Sequence, residues 1–253
     1  MSDFGSQAIA PAMPRLSQVA RIAITFTAPS RTFHDIDRGN WSWWLPLVAI
    51  TVATYILFSV ITLRVGWQTV VDNAVRLDPR VEDRMAQVPV EQQDAISRST
   101  RYSIEGKMLV SPVSTLAILA ILSFGLRGTA NVVFGGIAKY KAVLAVWFYA
   151  SLPRVITSVL AAVVILVEGT PDSFNVNNPA PTNVGAFLNP LETNRVLYVL
   201  ASSVGLVTIW TLALLANGLA MVARIKRSSS YVAVFGWWAI FILIRIGVAA
   251  AFN

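Results

Sequence analysis

Residues 43–63 read WWLPLVAITVATYILFSVITL, an uninterrupted stretch with no charged side chain. A helix rises about 1.5 Å per residue, so crossing about 30 Å of hydrocarbon takes about 20 apolar residues. This stretch has that length. Trp41, Trp43 and Trp44 gather at its start, where aromatic rings favour the boundary between lipid and water. Four further apolar runs follow, at 109–126, 142–167, 196–222 and 231–252. The second is the shortest, and the residues after it can extend it to about 134, where Gly135-Gly136 signals a turn. The pattern predicts an all-α, polytopic membrane helix bundle with five transmembrane helices. Residues 43–253 form the membrane domain, and residues 1–42 precede it.

Composition agrees. Of 253 residues, 55% are hydrophobic and 13% charged, where soluble domains carry about 25% charged residues. The net charge of +7 fits a membrane protein whose inner loops are enriched in Lys and Arg. No run of five or six basic residues marks a nucleic-acid partner. The chain has no cysteine, and its one histidine is His34. Thiolate chemistry and zinc sites built from several His or Cys are therefore excluded, and no metal or other cofactor is expected. The first residues lack a basic start followed by an apolar core, so the first span is expected to serve as its own insertion signal.

Orientation follows from the short C-terminal segments. Residues 127–141 hold Arg127, Lys139 and Lys141, and residues 223–230 hold Arg224, Lys226 and Arg227, whereas 168–195 hold Arg195 alone. The positive-inside rule then places the N-terminus in the cytoplasm and the C-terminus outside. The loop 64–108 is the exception, with seven basic residues matched by seven acids. It is too long for a plain connection, and Asp78-Pro79 resembles a helix start, so a small helical extramembrane loop is expected. The loop 168–195, rich in Asn and Pro, is expected to be largely irregular.

Before the first span, Leu16, Val19, Ala20, Ala23 and Phe26 recur at helical spacing, with Arg15, Arg21 and Thr25 largely elsewhere. This predicts a short amphipathic helix, ended by Pro29. It lies either on the inner leaflet or against the spans.

Two arginines fall inside apolar runs. Arg154 follows Pro153 near the middle of the third run, and Arg245 lies about two-thirds along the fifth. Each costs at least about 2.5–3.5 kcal/mol at the centre of an inserted helix. No acidic residue lies within any run to neutralise them. One reading is an anion or lipid-headgroup site built by Arg154, Arg245, Tyr149, Thr208 and Asn217. The other is snorkelling, or a third run that is two shorter helices meeting at Pro153.

Three stretches together resemble a known family: APSRTFHDI (28–36), KAVLAVWFYASLP (141–153) and IWTLALLANGLAMVARIKRSSSYVAVFGWW (209–238). The pattern is similar to the prokaryotic branch of the Yip family of Ypt-interacting membrane proteins. In that branch a Pro-x-x-x-Phe element precedes the first span, here Pro29 and Phe33. A Tyr-Ala-Ser-Leu-Pro element lies in the third, here Tyr149 to Pro153. A Trp-x-Leu…Gly-Leu element lies in the fourth, here Trp210 and Gly218. The resemblance implies five spans with a cytoplasmic N-terminus. A role for the short N-terminal segment in binding small GTPases is not implied.

The resulting expectation is a non-enzymatic scaffold or lipid-interacting protein of a bacterial inner membrane. Its partners would be membrane lipids, further copies of itself or other membrane proteins. The alternative is a small transporter, channel or transporter subunit using Arg154 and Arg245.

Overall fold

The computed structural model describes residues 15–168 and 174–251. The first fourteen residues of the N-terminal segment, and the C-terminal end with its expected outside location, lie outside the described residues. All regular structure in the described residues is helical, apart from one isolated antiparallel bridge between Asn183 and Gly205.

Two short helices come first. Ser17 caps α1 (Gln18–Thr27), its hydroxyl accepting from the Ala20 N–H at 3.2 Å. Pro29 occupies the first turn of α2 (Pro29–Asp37), where its missing N–H costs no bond. The sequence reading ended the first helix at Pro29, and a second helix begins there.

Among the described residues, five helices are long and apolar enough to cross a membrane. The first is α3 (Trp44–Val60), continued by a π-helical turn, Ile61–Val65. Then α4 (Trp67–Arg76), α5 (Pro79–Ala86) and α6 (Val90–Leu109) make the helical extramembrane segment. The second span is α7 (Ser111–Gly128) with a π-helical turn to Val133, which brings it to the extended limit read from the sequence.

The third span consists of α8 (Tyr140–Ala150) and α9 (Arg154–Glu168), separated at Ser151, Leu152 and Pro153. Proline has no N–H to continue the helical ladder. The chain tightens there into three-residue turns, with Leu152 N–H on Tyr149 O at 3.2 Å and Arg154 N–H on Ser151 O at 3.0 Å. The fourth run is also two helices, α10 (Arg195–Ser203) and α11 (Leu206–Ala223). Gly205 breaks it. A Cβ there would stand 2.6 Å from Thr182 O, so only glycine lets the 174–194 loop lie against this backbone. The last span is α12 (Arg227–Ala251).

Cross-contacts fix the arrangement. Ile137 N–H donates to Ala223 O at 3.0 Å, and Val146 faces Gly218, so α8 and α11 run antiparallel. Ser230 Oγ donates to Ala216 O at 2.6 Å, and Arg245 reaches Ser203, so α11 and α12 are antiparallel as well. Trp43 stacks on Phe148 while Leu57 and Ile61 pack with Ala161 and Ala162, so α3 and α9 are parallel. One end of the bundle, the near face, therefore carries α1, α2, the start of α8 and the α11–α12 turn. The far face carries α4 to α6 and α10. Helix α8 forms the centre: Ala142 to Val146 and Phe148 to Ala150 are all buried. Its alanines let neighbouring backbones approach closely, which replaces the hydrophobic drive that lipid does not supply.

Candidate functional site: the seat of the N-terminal hairpin

Helices α1 and α2 pack as a hairpin into the near face, against α8 and α11. Phe33 is fully buried and presses on Gly218. A Cβ on Gly218 would meet Val146 Cγ1 at 2.5 Å and Phe33 Cδ1 at 2.9 Å, so that glycine makes the socket for the ring. Phe26 meets the edge of Trp210 at a centroid distance of 5.8 Å. Asp37 pairs with Arg224 at 4.0 Å at the rim.

Beneath the hairpin lies Arg21, 0% exposed. Its Nη1 donates to Asn40 O at 2.7 Å, its Nε stands 3.6 Å from Asp35 Oδ2, and its guanidinium lies 4.9 Å from the Tyr149 ring centroid. Asp35, 4% exposed, also accepts from Asn40 Nδ2 at 2.8 Å and from the Leu16 N–H at 3.4 Å. Thr25 Oγ1 donates to Arg21 O at 2.7 Å, and Thr32 Oγ1 approaches the same carbonyl at 3.2 Å. Charge, cation–π contact and hydrogen bonds thus join α1, α2 and α8 at one buried point. The Arg21 Nη2 and the Tyr149 hydroxyl have no hydrogen-bond partner among the described residues.

The sequence reading left α1 either on the inner leaflet or against the spans, with Val19 and Ala23 on its apolar face. The helix does not pack on the spans through those two residues. Instead Arg21 and Thr25 are buried, while Val19 is 71% exposed and Ala23 is exposed beside it. A helix with polar residues inward and apolar residues outward suits a lipid surround rather than water. Arg21 and Asp35 were missed because a charged residue on a helix is ordinarily assigned to solvent. The available signal was Arg21 opposite Val19 on a helix otherwise short of charge.

The sequence-derived candidates separate into different places. Tyr149 sits under Arg21. Asn217 Nδ2 donates to Ala213 O at 2.8 Å and to the Tyr231 hydroxyl at 3.0 Å. Arg245 is exposed near the far end of α12, with Nη1 on Ser203 Oγ at 3.1 Å. Arg154 opens α9 and is also exposed, with no ion pair or side-chain hydrogen bond among the described residues. Thr208 is half-buried in the first turn of α11. Arg154 lies on the helix that packs on α3, and Arg245 on the helix that packs on α11 and α10. They share no partner among the described residues.

The resemblance positions converge more closely. Phe33 meets Gly218, Trp210 meets Phe26 of the same hairpin, and Tyr149 lies under Arg21. Pro29 shares a surface cleft with Phe33 and Asn217 at the α2–α11 junction. Pro153 stands in the break four residues after Tyr149. Elements far apart in sequence meet at the hairpin seat.

Fold and seat together define an integral membrane helix bundle of five spans carrying an N-terminal helical hairpin. The family model of the Yip1 domain matches residues 23–248, and the chain belongs to that family. Comparisons with curated proteins and with solved structures found no match.

Proposed function

We propose that the protein is a non-enzymatic, lipid-interacting organiser of a bacterial inner membrane, working through the hairpin of its near face. The observation that carries this reading is the inverted polarity of α1. Its exposed side is apolar at Val19 and Ala23, while its charge is spent inside the protein on Asp35. Such a helix, fixed to a rigid bundle, occupies area in one leaflet and not in the other.

The near face belongs in the cytoplasm. Lys139, Arg224 and Lys226 lie in the short connections on that side, and Lys141 and Arg227 in the first turns of α8 and α12, in keeping with the positive-inside rule. The carboxylate at the seat, Asp35, is engaged by Arg21 and Asn40.

The test is reconstitution of the full chain into liposomes at increasing density, with vesicle shape, lipid order and solute flux recorded together. The expected result is a change in vesicle shape or lipid order without solute flux. A vectorial flux lost in Arg154→Gln would replace this reading with a small transporter.

A further inference from the structure

The outer side of the hairpin holds a pocket of about 400 Å³. Arg15 and Ser17 from the start of α1, Arg31, His34 and Arg38 from α2, and Met221 from α11 line it. Arg31, His34 and Arg38 recur at i, i+3 and i+7, and all three are exposed, so α2 presents them on one face. Asp35 also lines the pocket, and its carboxylate is engaged by Arg21 and Asn40. Asp37, also on α2, is drawn to Arg224. The pocket wall is therefore cationic, and its charge comes from guanidinium groups, whose planar forks suit phosphate oxygens.

The depth of the two helices narrows the ligand. Helix α1 reaches Trp210 through Phe26, while α2 meets α11 at Gly218, Met221 and Arg224. Trp210 and Met221 are about 16 Å apart along a helix rising about 1.5 Å per residue. The Phe26 end of α1 thus lies deeper in the bundle, its start at Arg15 and Ser17 shares the pocket with α2 and Met221, and Val19 and Ala23 turn outward between them. An apolar surface beneath a cationic one is the order of chemistry along a phospholipid, from acyl chain to phosphate.

We propose that this pocket binds the phosphate of an anionic phospholipid from the leaflet that holds the hairpin. Arg15 and Arg31 take the phosphate oxygens, and Val19 flanks the acyl chain. The assignment rests on the lipid-interacting reading above and names its headgroup class and residues.

The test uses the full chain in mild detergent, titrated separately with phosphatidylglycerol, phosphatidylcholine and inorganic phosphate, with bound species counted by native mass spectrometry. Phosphatidylglycerol should bind, phosphatidylcholine should bind more weakly, and millimolar phosphate should not displace the lipid. Arg15→Gln/Arg31→Gln should weaken phosphatidylglycerol binding about thirtyfold, from two surface charges acting on an anionic lipid. The far-face pair Arg64→Gln/Lys107→Gln removes the same charge and should leave binding unchanged. If the glutamine pair does not fold, Arg15→Lys/Arg31→Lys keeps the charge but loses the planar fork, and it should still weaken phosphatidylglycerol binding severalfold; unchanged binding overturns the pocket.

Equal weakening by the near-face and far-face pairs overturns the pocket while leaving a lipid-binding protein. Equal affinity for the two lipids overturns the headgroup class. Displacement by millimolar phosphate makes this a free-anion site and overturns the lipid. Absence of bound lipid of any kind overturns both this assignment and the broader reading.

Discussion

Arg21 and Arg154 are the same residue type in one membrane protein, and the fold treats them in opposite ways. Arg21 belongs to a helix outside the five spans, yet it is fully buried, with Asp35, Asn40 and the Tyr149 ring around it. Arg154 lies within a span, yet it is exposed, with no ion-pair partner among the described residues. Position relative to a span therefore does not decide whether an arginine is a structural element. The protein groups that surround it do. A guanidinium fixed by protein is costly to remove. One that faces outward on a helix surface can reach headgroups or water by its own flexibility.

Removing Arg21 should have the greatest consequence. Arg21→Ala leaves Asp35 buried and unpaired, and breaking one side of a buried ion pair costs about 3–5 kcal/mol. Thermal unfolding in detergent should show a marked fall in the midpoint, and Asp35→Ala should do the same. The double variant Arg21→Met/Asp35→Leu should recover much of the loss, because neither charge is then stranded. If Arg21→Ala unfolds at the parent's temperature, the pair does not hold the hairpin.

The next effect concerns the socket. Gly218→Ala places a methyl 2.5 Å from Val146 Cγ1 and against the Phe33 ring. Overpacking of a filled core costs about 1–3 kcal/mol. Protease digestion should cut the hairpin faster in this variant while the five spans stay intact. Uniform loss of all spans would instead make Gly218 part of the bundle core at large.

Much of the fold was legible in the sequence, and the reason is length. An apolar run of about 20 residues has few alternatives to a membrane helix, so the five spans and the resemblance to the family could be read directly. The break at Pro153 was legible as one of two readings, since proline cannot continue the ladder. The break at Gly205 was not, because the segment remains apolar across it and the cause, the Thr182 carbonyl, arrives from a distant loop.

The surroundings of α1 were left open for a related reason. Periodicity shows that a helix has two faces, and it does not say whether protein or lipid covers the apolar one. Arg21 was placed on the polar face, while Arg154 and Arg245 drew notice merely because they interrupt apolar runs.

Arg245 lies between these two cases. Its one side-chain hydrogen bond among the described residues runs to Ser203 Oγ at 3.1 Å. That contact ties α12 to α10 at the far end. Ser203→Ala should cost about 0.5–1.5 kcal/mol, the usual net value of one hydrogen bond. Hydrogen exchange should quicken in α10 and stay unchanged at the hairpin. Exchange that quickens at both ends would mean that the two faces are coupled through α11.

Arg154→Leu removes a side chain that makes no hydrogen bond or ion pair among the described residues, so stability should stay within about 0.5 kcal/mol of the parent, as for other surface changes. Insertion should improve, because an arginine near a helix centre opposes it by about 2.5–3.5 kcal/mol where a leucine favours it. A loss approaching that of Arg21→Ala would give Arg154 a partner from outside this chain, such as a lipid phosphate or an acidic residue of a second copy. Measuring the variant in detergent and then in anionic bilayers separates these two. A lipid partner makes the loss appear in the bilayer alone, whereas a second copy also changes the mass of the particle in detergent.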